Sequence, residues 1–233
     1  MLSIYRSAIY WFITVTAILI LGFYFTYFSR FPVFEGLSWA HHFHGILFFL
    51  WMLLMVAQPM LIAYKKVAVH QFIGKISYLL MPLLLISIHL MSKSTYSKSL
   101  AEYGREAALG AIAISIPVIP ILGLLYVLAI YNSKKTAHHM RYMIGISILL
   151  LGPGLGRAII VLGHLPFPVG VCITNAIATS ISAILLIREC ITSKVYMPYV
   201  ITFISTVILS LCWNDQMNEG WQFIASAYAK AFF

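Results

Sequence analysis

Apolar runs about as long as a bilayer is thick recur along this chain and constrain its fold more than any other feature. A transmembrane helix needs about 20 consecutive apolar residues. Seven such runs lie at 8–28, 40–63, 71–91, 107–131, 142–163, 169–187 and 197–213. The 233 residues are 62% hydrophobic and 9% charged, a composition that a soluble domain of this size cannot bury. We predict an all-α polytopic membrane protein in which residues 1–233 form one seven-helix bundle.

Basic residues predict how this bundle sits in the membrane. Nine of the fifteen Lys and Arg residues lie at the N-terminus or in even-numbered loops, and six lie on the other side. Because loops rich in Lys and Arg stay in the cytoplasm, we expect a cytoplasmic N-terminus and an external C-terminus. The first apolar run is too long and too aromatic for a cleaved signal peptide, so it should remain as an anchor. The expected location is the inner membrane of a bacterium.

Two polar segments fall outside the predicted spans. The longest connection, residues 92–106, carries no motif and is expected to be an external loop. The tail, residues 214–233, places four apolar or aromatic residues at helical spacing: Trp221, Ile224, Tyr228 and Phe232. This pattern is typical of a short amphipathic helix that lies in the membrane interface.

Charge and cysteine patterns exclude several classes of function. The net charge of +9 lies mostly in short loops beside the membrane, where it attracts anionic lipid and not nucleic acid. All six acidic residues are expected in loops or at span ends, which argues against a carboxylate-driven transporter. The seventh span has no lysine for a retinal Schiff base. The three cysteines lack C-x-x-C spacing, so neither a disulfide framework nor a thiolate metal site is expected.

Histidines are expected to cluster at the external end of the bundle. His41 and His44 are spaced i, i+3 and share a face of the second span, and Trp51 and Gln58 continue that face at steps of seven. His89 ends the antiparallel third span at the same level. Imidazoles from two neighbouring helices are therefore predicted to meet at one site, where they can bind a metal or a cofactor.

A second cluster is expected at the cytoplasmic end. His70 opens the third span and His139 opens the fifth, so both imidazoles should lie near the same membrane surface. Arg141 and the two lysines Lys66 and Lys135 lie close by in sequence and are suited to an anionic group. The remaining histidines, His42, His138 and His164, are interpreted as interfacial side chains.

Arg157 is predicted to lie inside the fifth span, where an unpaired guanidinium is costly. No acidic residue is expected near it. Its predicted partner is a backbone carbonyl freed by Pro153, a lipid headgroup or a ligand such as a haem propionate or a quinone oxygen. We therefore include Arg157 among the candidate cofactor-binding residues.

Three segments carry a resemblance to known families: HGILFFLWMLLMVAQPMLI, HQFIGKISYLLMP and HHMRYMIGISILLLGPGLGR. Together they resemble a family of bacterial membrane proteins known as a domain of unknown function, over roughly residues 40 to 160. That resemblance implies a helical bundle and points to His44, His70, His139 and Arg141. A looser similarity to b-type cytochromes of the cytochrome b561 and ferric-reductase kind implies haem ligation by histidines near the membrane faces. The wider spacing of histidines here argues against a stacked pair of haems and leaves a single haem or none.

Four functions remain open on the sequence alone. The first is a redox membrane protein with haem b, which exchanges electrons with a quinone or a redox partner protein. The second handles copper or another metal, with candidate ligands His41, His44, His89, His70 and His139. The third is a zinc-dependent hydrolase, which the expected lack of a buried carboxylate base disfavours. The fourth is a binding or assembly subunit without cofactor or chemistry.

Overall fold

A computed structural model describes residues 2–192 and 195–233 of the chain. The helices in this part are α1 (Leu2–Tyr24), α2 (Trp39–Ala63), α3 (Val67–Gly74), α4 (Ser77–Tyr103), α5 (Arg105–Ala111), α6 (Val118–Tyr131), α7 (Thr136–Gly163), α8 (Phe167–Thr192), α9 (Met197–Asn214) and α10 (Glu219–Phe232). Short 3-10 turns follow α1 and α5, at Phe28–Arg30 and Ile112–Ile114.

Seven helical segments of the described chain are long and apolar enough to cross a membrane. They confirm the predicted all-α bundle of seven helices. Five of these segments are single helices, whereas the third comprises α3 and α4 and the fourth comprises α5, a 3-10 turn and α6. We call the end of the bundle that carries His44 the outer end and the end that carries His70 the inner end, after the predicted orientation.

Helix α7 lies at the centre of the bundle and contacts α1, α6, α8 and α9. Glycine allows its closest contact, with α1. A Cβ atom on Gly22 would lie 1.9 Å from the carbonyl oxygen of Gly154, and one on Gly154 would lie 2.6 Å from Cα of Leu19. Small residues at such crossings let two backbones approach closely, which favours van der Waals packing in a bilayer. The indole of Trp11 adds a hydrogen bond to the Ser147 hydroxyl at 2.7 Å.

Hydroxyl groups join α8 to its neighbour α9. The Ser182 and Thr206 hydroxyls lie 3.0 Å apart, and both side chains are buried. One of the two hydroxyls donates to the other, and the accepting hydroxyl donates to a carbonyl of its own helix, at 2.8 Å in either case. Since lipid offers no competing hydrogen-bond partner, these contacts fix the two helices against each other.

The polar segment 92–106, predicted to be a loop, is helical for most of its length. Helix α4 runs on to Tyr103, and α5 begins at Arg105 after a single residue, Gly104. Polar residues are compatible with a helix once it leaves the apolar layer, so the polarity of residues 92–106 does not show where the helix ends. The chain turns at Gly104 because its φ of 84° lies in the left-handed region that glycine tolerates.

The predicted helix in the tail is present as α10 and packs on α5. It begins at Asn218, whose side-chain oxygen accepts from the N–H of Gly220 at 3.0 Å. The indole N–H of Trp221 donates to the carbonyl oxygen of Leu109 at 2.8 Å. Phe223 and Ile224 remain exposed on the other side of α10. The helix therefore presents one face to the protein and one apolar face outward.

Candidate functional site

The structure brings two of the predicted residues, Gln58 and His70, together at the inner end, and His139 lies in the first turn of α7 at the same end. The amide of Gln58, in the orientation that satisfies its neighbours, donates to Nδ1 and to the backbone oxygen of His70, the latter at 3.2 Å. Its own oxygen accepts from the N–H of Gly74 at 3.1 Å. Gln58 therefore bonds both to the imidazole and to the backbone of α3.

This contact explains why the third span is divided into two helices. In an uninterrupted helix the N–H of Gly74 would bond to the carbonyl of His70, four residues earlier. Gln58 bonds to both groups, and a side chain inserted in this way is a known cause of helix kinks. Ser77, the first residue of α4, closes the junction with a bond from its hydroxyl to the Gly74 carbonyl at 2.6 Å.

Hydrogen bonds fix the tautomers of the two inner histidines in opposite ways. Nδ1 of His139 lies 2.8 Å from the carbonyl oxygen of Ala129, which only accepts, so Nδ1 carries the proton and Nε2 has a free lone pair. Nδ1 of His70 instead accepts from Gln58, so the proton of neutral His70 lies on Nε2. Both imidazoles lie in the first turns of their helices, α3 and α7.

The tautomer of His139 is the one that metal ligands have in proteins. A ligating histidine usually donates its second N–H to a carbonyl or carboxylate, which orients the ring and makes the free nitrogen more basic. Ala129, near the end of α6, supplies that carbonyl here. His70 presents a donor, and to serve as a second ligand it would have to give up its bond from Gln58.

Arg141, predicted to bind an anionic group, is paired within the protein. Its Nη2 lies 2.7 Å from Oε2 of Glu189, and both side chains are nearly buried, at 11% and 10% exposed. Glu189 lies at a span end, as expected, but α8 continues past residue 187 to Thr192 and the Glu189 side chain is buried there. Its position seven residues after buried Ser182, on the same helix face, is the sequence signal that could have revealed this burial.

The outer end does not bring His44 and His89 to one another. Nδ1 of His44 lies 2.9 Å from the Ser87 hydroxyl, which itself donates to the carbonyl of Leu84 at 2.7 Å, so Nδ1 of His44 is the donor. Residues two apart on a helix do not share a face, so His89 points elsewhere. Its Nδ1 lies 2.7 Å from the hydroxyl of Tyr228 on α10.

Aromatic residues of α10 surround His89. The rings of Phe232 and Phe233 lie 6.1 and 5.5 Å from the imidazole, and Tyr228 lies at 5.9 Å. Partial burial raises the pKa of Tyr228, so its hydroxyl stays protonated at neutral pH. His89 therefore serves the attachment of α10 in this structure.

His41 and His42 also have partners within the protein. Nδ1 of His41 accepts from the N–H of Ser38 at 3.1 Å, in a capping box at the start of α2. Nδ1 of His42, expected to be solvated, lies 2.8 Å from the hydroxyl of Tyr27 and is only partly exposed. His138 is partly exposed and His164 is exposed at the end of α7.

Arg157 bonds to a backbone carbonyl, as predicted, but to a different one. Its Nη1 donates to the carbonyl oxygen of Pro153 itself at 2.9 Å, and not to the carbonyl that the missing proline N–H leaves free. Its guanidinium carbon lies 4.5 Å from the ring centre of Phe23 on α1, a cation–π contact. No carboxylate pairs with Arg157 in the described part of the chain.

Trp51 lies in the centre of the bundle as predicted and is fully buried. Its ring meets that of Tyr126 edge-on, with centroids 5.9 Å apart, and its indole N–H finds no acceptor among the described residues. The Tyr126 hydroxyl lies 2.9 Å from that of Ser77, at the junction of α3 and α4. Trp51 is therefore connected to the inner site through packing.

The described residues contain no group of three or more His, Cys, Asp and Glu side chains that could hold a metal ion. The inner end thus offers one imidazole with a free nitrogen and a second imidazole that acts as a donor. A scan against protein-family models and searches of curated proteins and of solved structures find no match to this chain.

Proposed function

We propose that this integral membrane protein holds one haem b at its inner end and serves in electron transfer. The observation that carries the proposal is the anchored tautomer of His139, whose Nε2 has a free lone pair. A structural zinc site needs four protein ligands and a catalytic one needs three. Haem iron needs only axial ligands from the protein, because the porphyrin supplies the others. One free imidazole nitrogen therefore suits haem better than a bare ion.

Different residues of the inner end are proposed to ligate the haem iron and to donate a hydrogen bond. His139 is the proposed axial ligand, held in orientation by the Ala129 carbonyl. His70 is a hydrogen-bond donor held by Gln58. Haem, when bound, supplies one-electron chemistry, and the proposed electron partner is a quinone in the bilayer or a redox protein.

Lysines at the starts of two helices provide positive charge for the haem propionates. Lys66 precedes α3 and Lys135 precedes α7, each four residues before an inner histidine, and both are exposed. A cation is unfavourable at a helix N-terminus because the helix dipole is positive there. An anionic group bound beside them would offset this cost. Since Arg141 is paired with Glu189, the two lysines are the remaining cations of the set predicted to bind an anionic group, and we assign the propionates to them.

A binding or assembly subunit is the second candidate function. It is favoured by the outer histidines, since His41, His42, His44 and His89 all hold neighbouring parts of the protein together. Under this function the inner histidines would have the same structural role. A copper site that uses the free nitrogen of His139 is a further metal-handling alternative.

Visible absorption spectra separate these candidates. The full-length protein, purified in detergent and supplemented with haem, is expected to show a Soret band and a reduced-minus-oxidised difference spectrum. His139→Ala should lose most of this absorption, and His138→Ala, its matched control on the same helix, should retain it. His70→Ala should keep the band with weakened retention of haem. A colourless wild-type protein, or full absorption in His139→Ala, would contradict the haem proposal, and elemental analysis would then test for copper.

A further inference from the structure

A polar groove lies between α8 and α9, in the outer half of two helices that are long and apolar enough to cross a membrane. Its volume is about 360 Å³. Small or polar side chains line it, among them Asn175, Ala176, Thr179 and Ser180 of α8 and Ser210 and Asn214 of α9. The hydroxyls of Thr179 and Ser210 lie 3.4 Å apart, and the thiol of Cys172 lies 3.7 Å from Oδ1 of Asn214. These two contacts join the walls of the groove.

Two polar groups of the α8 wall have unused hydrogen-bonding capacity. The amide of Asn175 and the hydroxyl of Ser180 have no hydrogen-bond partner within residues 2–192 and 195–233. Asn175 lies about 12 Å along α8 from Phe167, counting the helical rise. An amide has two N–H donors and an acceptor oxygen, and lipid tails can bond to none of them. An unpaired amide at this depth is costly, so the groove requires a polar partner.

The shape of the groove suits a helix better than a small molecule. Four of its lining residues are exposed: Cys172, Ala176, Ser180 and Asn214. A small-molecule pocket encloses most of its ligand, whereas this groove is open along about 12 Å of α8, from Cys172 to Ser180. Ala176 lies between them and has only a methyl group, which lets the backbone of another helix come close.

We propose that a second copy of this chain packs its own α8 on this groove, in a dimer with a twofold axis perpendicular to the membrane. Both copies insert in the same orientation, so Asn175 and its counterpart lie at the same depth. Two amides that meet across a twofold axis are self-complementary, because the N–H of each can donate to the oxygen of the other. Hydrogen bonds of this kind and small residues stabilise helix pairs in a bilayer.

Charge also favours a second copy at this surface. The chain has a net charge of +9, so contact between charged regions of two copies would bring like charges together. The residues that line the groove carry no charge, and two copies can meet there without this repulsion. The proposed dimer involves α8 and α9 and is independent of the inner histidines and of haem.

Sedimentation equilibrium of the full-length protein in density-matched detergent micelles tests this dimer, because it gives the dissociation constant between monomer and dimer. Wild type is expected to dimerise. Asn175→Leu should raise the dissociation constant about tenfold, as expected when two interhelical hydrogen bonds are lost. Asn132→Leu is the matched control and should leave the constant unchanged, since the Asn132 amide donates to the carbonyl of Leu128 in its own helix at 2.8 Å.

A second pair of variants tests close approach of the helices without touching an amide. Ala176 is exposed, so Ala176→Leu should fold normally, and its larger side chain should raise the dissociation constant about tenfold by holding the two copies apart. Ala17→Leu, at an exposed position of α1, should have no effect. A wild-type protein that is monomeric at all concentrations would show that lipid or a different protein covers the groove, and would overturn the proposal. A dimer that neither Asn175→Leu nor Ala176→Leu weakens would overturn it as well.

Discussion

The amide of Gln58 lies between the carbonyl oxygen of His70 and the N–H of Gly74, so that a side chain of α2 bonds to two backbone groups of α3 beside the α3–α4 junction. This arrangement gives one residue two roles, since it shapes the backbone and fixes the tautomer of an imidazole. Loss of the Gln58 amide should therefore lower the stability of the protein even when the substituted side chain has a similar size.

Gln58→Leu is expected to destabilise the protein by about 2 kcal/mol, because it leaves a partly buried donor and acceptor of α3 without their partner. Thermal unfolding in detergent, followed by circular dichroism, measures this effect. Gln71→Leu removes the same amide from an exposed position on α3 and should change stability little. Equal destabilisation by both substitutions would show that the Gln58 contact does not matter.

Gly22→Ala should weaken the packing of α1 on α7 by about 3 kcal/mol, since its Cβ would overlap the backbone of Gly154, which cannot move aside as a side chain can. Gly123→Ala is the matched control within the bundle, because its Cβ would meet only a methyl group of Leu85 at 3.5 Å. Midpoint temperatures of the two variants give the comparison. The packing argument fails if Gly22→Ala unfolds at the wild-type temperature.

Glu189→Gln should cost about 3 kcal/mol, because it removes the charged partner of a nearly buried Arg141. Arg188→Gln, one residue earlier and exposed, should cost much less. A double variant, Arg141→Met with Glu189→Leu, should recover part of the lost stability, since neither charge then remains buried alone. Additive losses in the double variant would indicate that the two side chains do not act as a pair.

His89→Ala is expected to loosen α10, because it removes the bond to Tyr228 and the aromatic contacts around the imidazole. Limited proteolysis should then cut α10 faster, at unchanged haem absorption. Phe223→Ala, at an exposed position of the same helix, should leave the cleavage rate unchanged. Loss of haem in His89→Ala with an intact α10 would instead restore His89 as a cofactor ligand.

Much of the fold follows from local sequence because hydropathy is a property of each segment alone. The second and seventh spans begin and end within one residue of the predicted limits. The placement of His70 and His139 at the same end of the bundle was also predictable, because successive spans alternate in direction and both residues open odd-numbered spans. The division of the third span into two helices was not predictable, because its cause is Gln58, a residue of another helix.

The partners of individual side chains were harder to predict than their depth in the membrane. His44 lies at the expected level, yet it bonds to Ser87 and not to His89. The choice depends on how far α4 is rotated about its axis, which packing against neighbouring helices decides. Arg141 was assigned to a ligand for the same reason, because Glu189 faces it only in the assembled bundle.

The contact between α1 and α7 also bears on how the chain is made. Trp11 and Ser147, which join these helices, are 136 residues apart in sequence. At about 5–20 residues per second, a ribosome needs on the order of ten seconds to synthesise the intervening chain. The first helix must therefore wait in the bilayer, or beside the insertion machinery, before its glycine surface meets the helix that covers it.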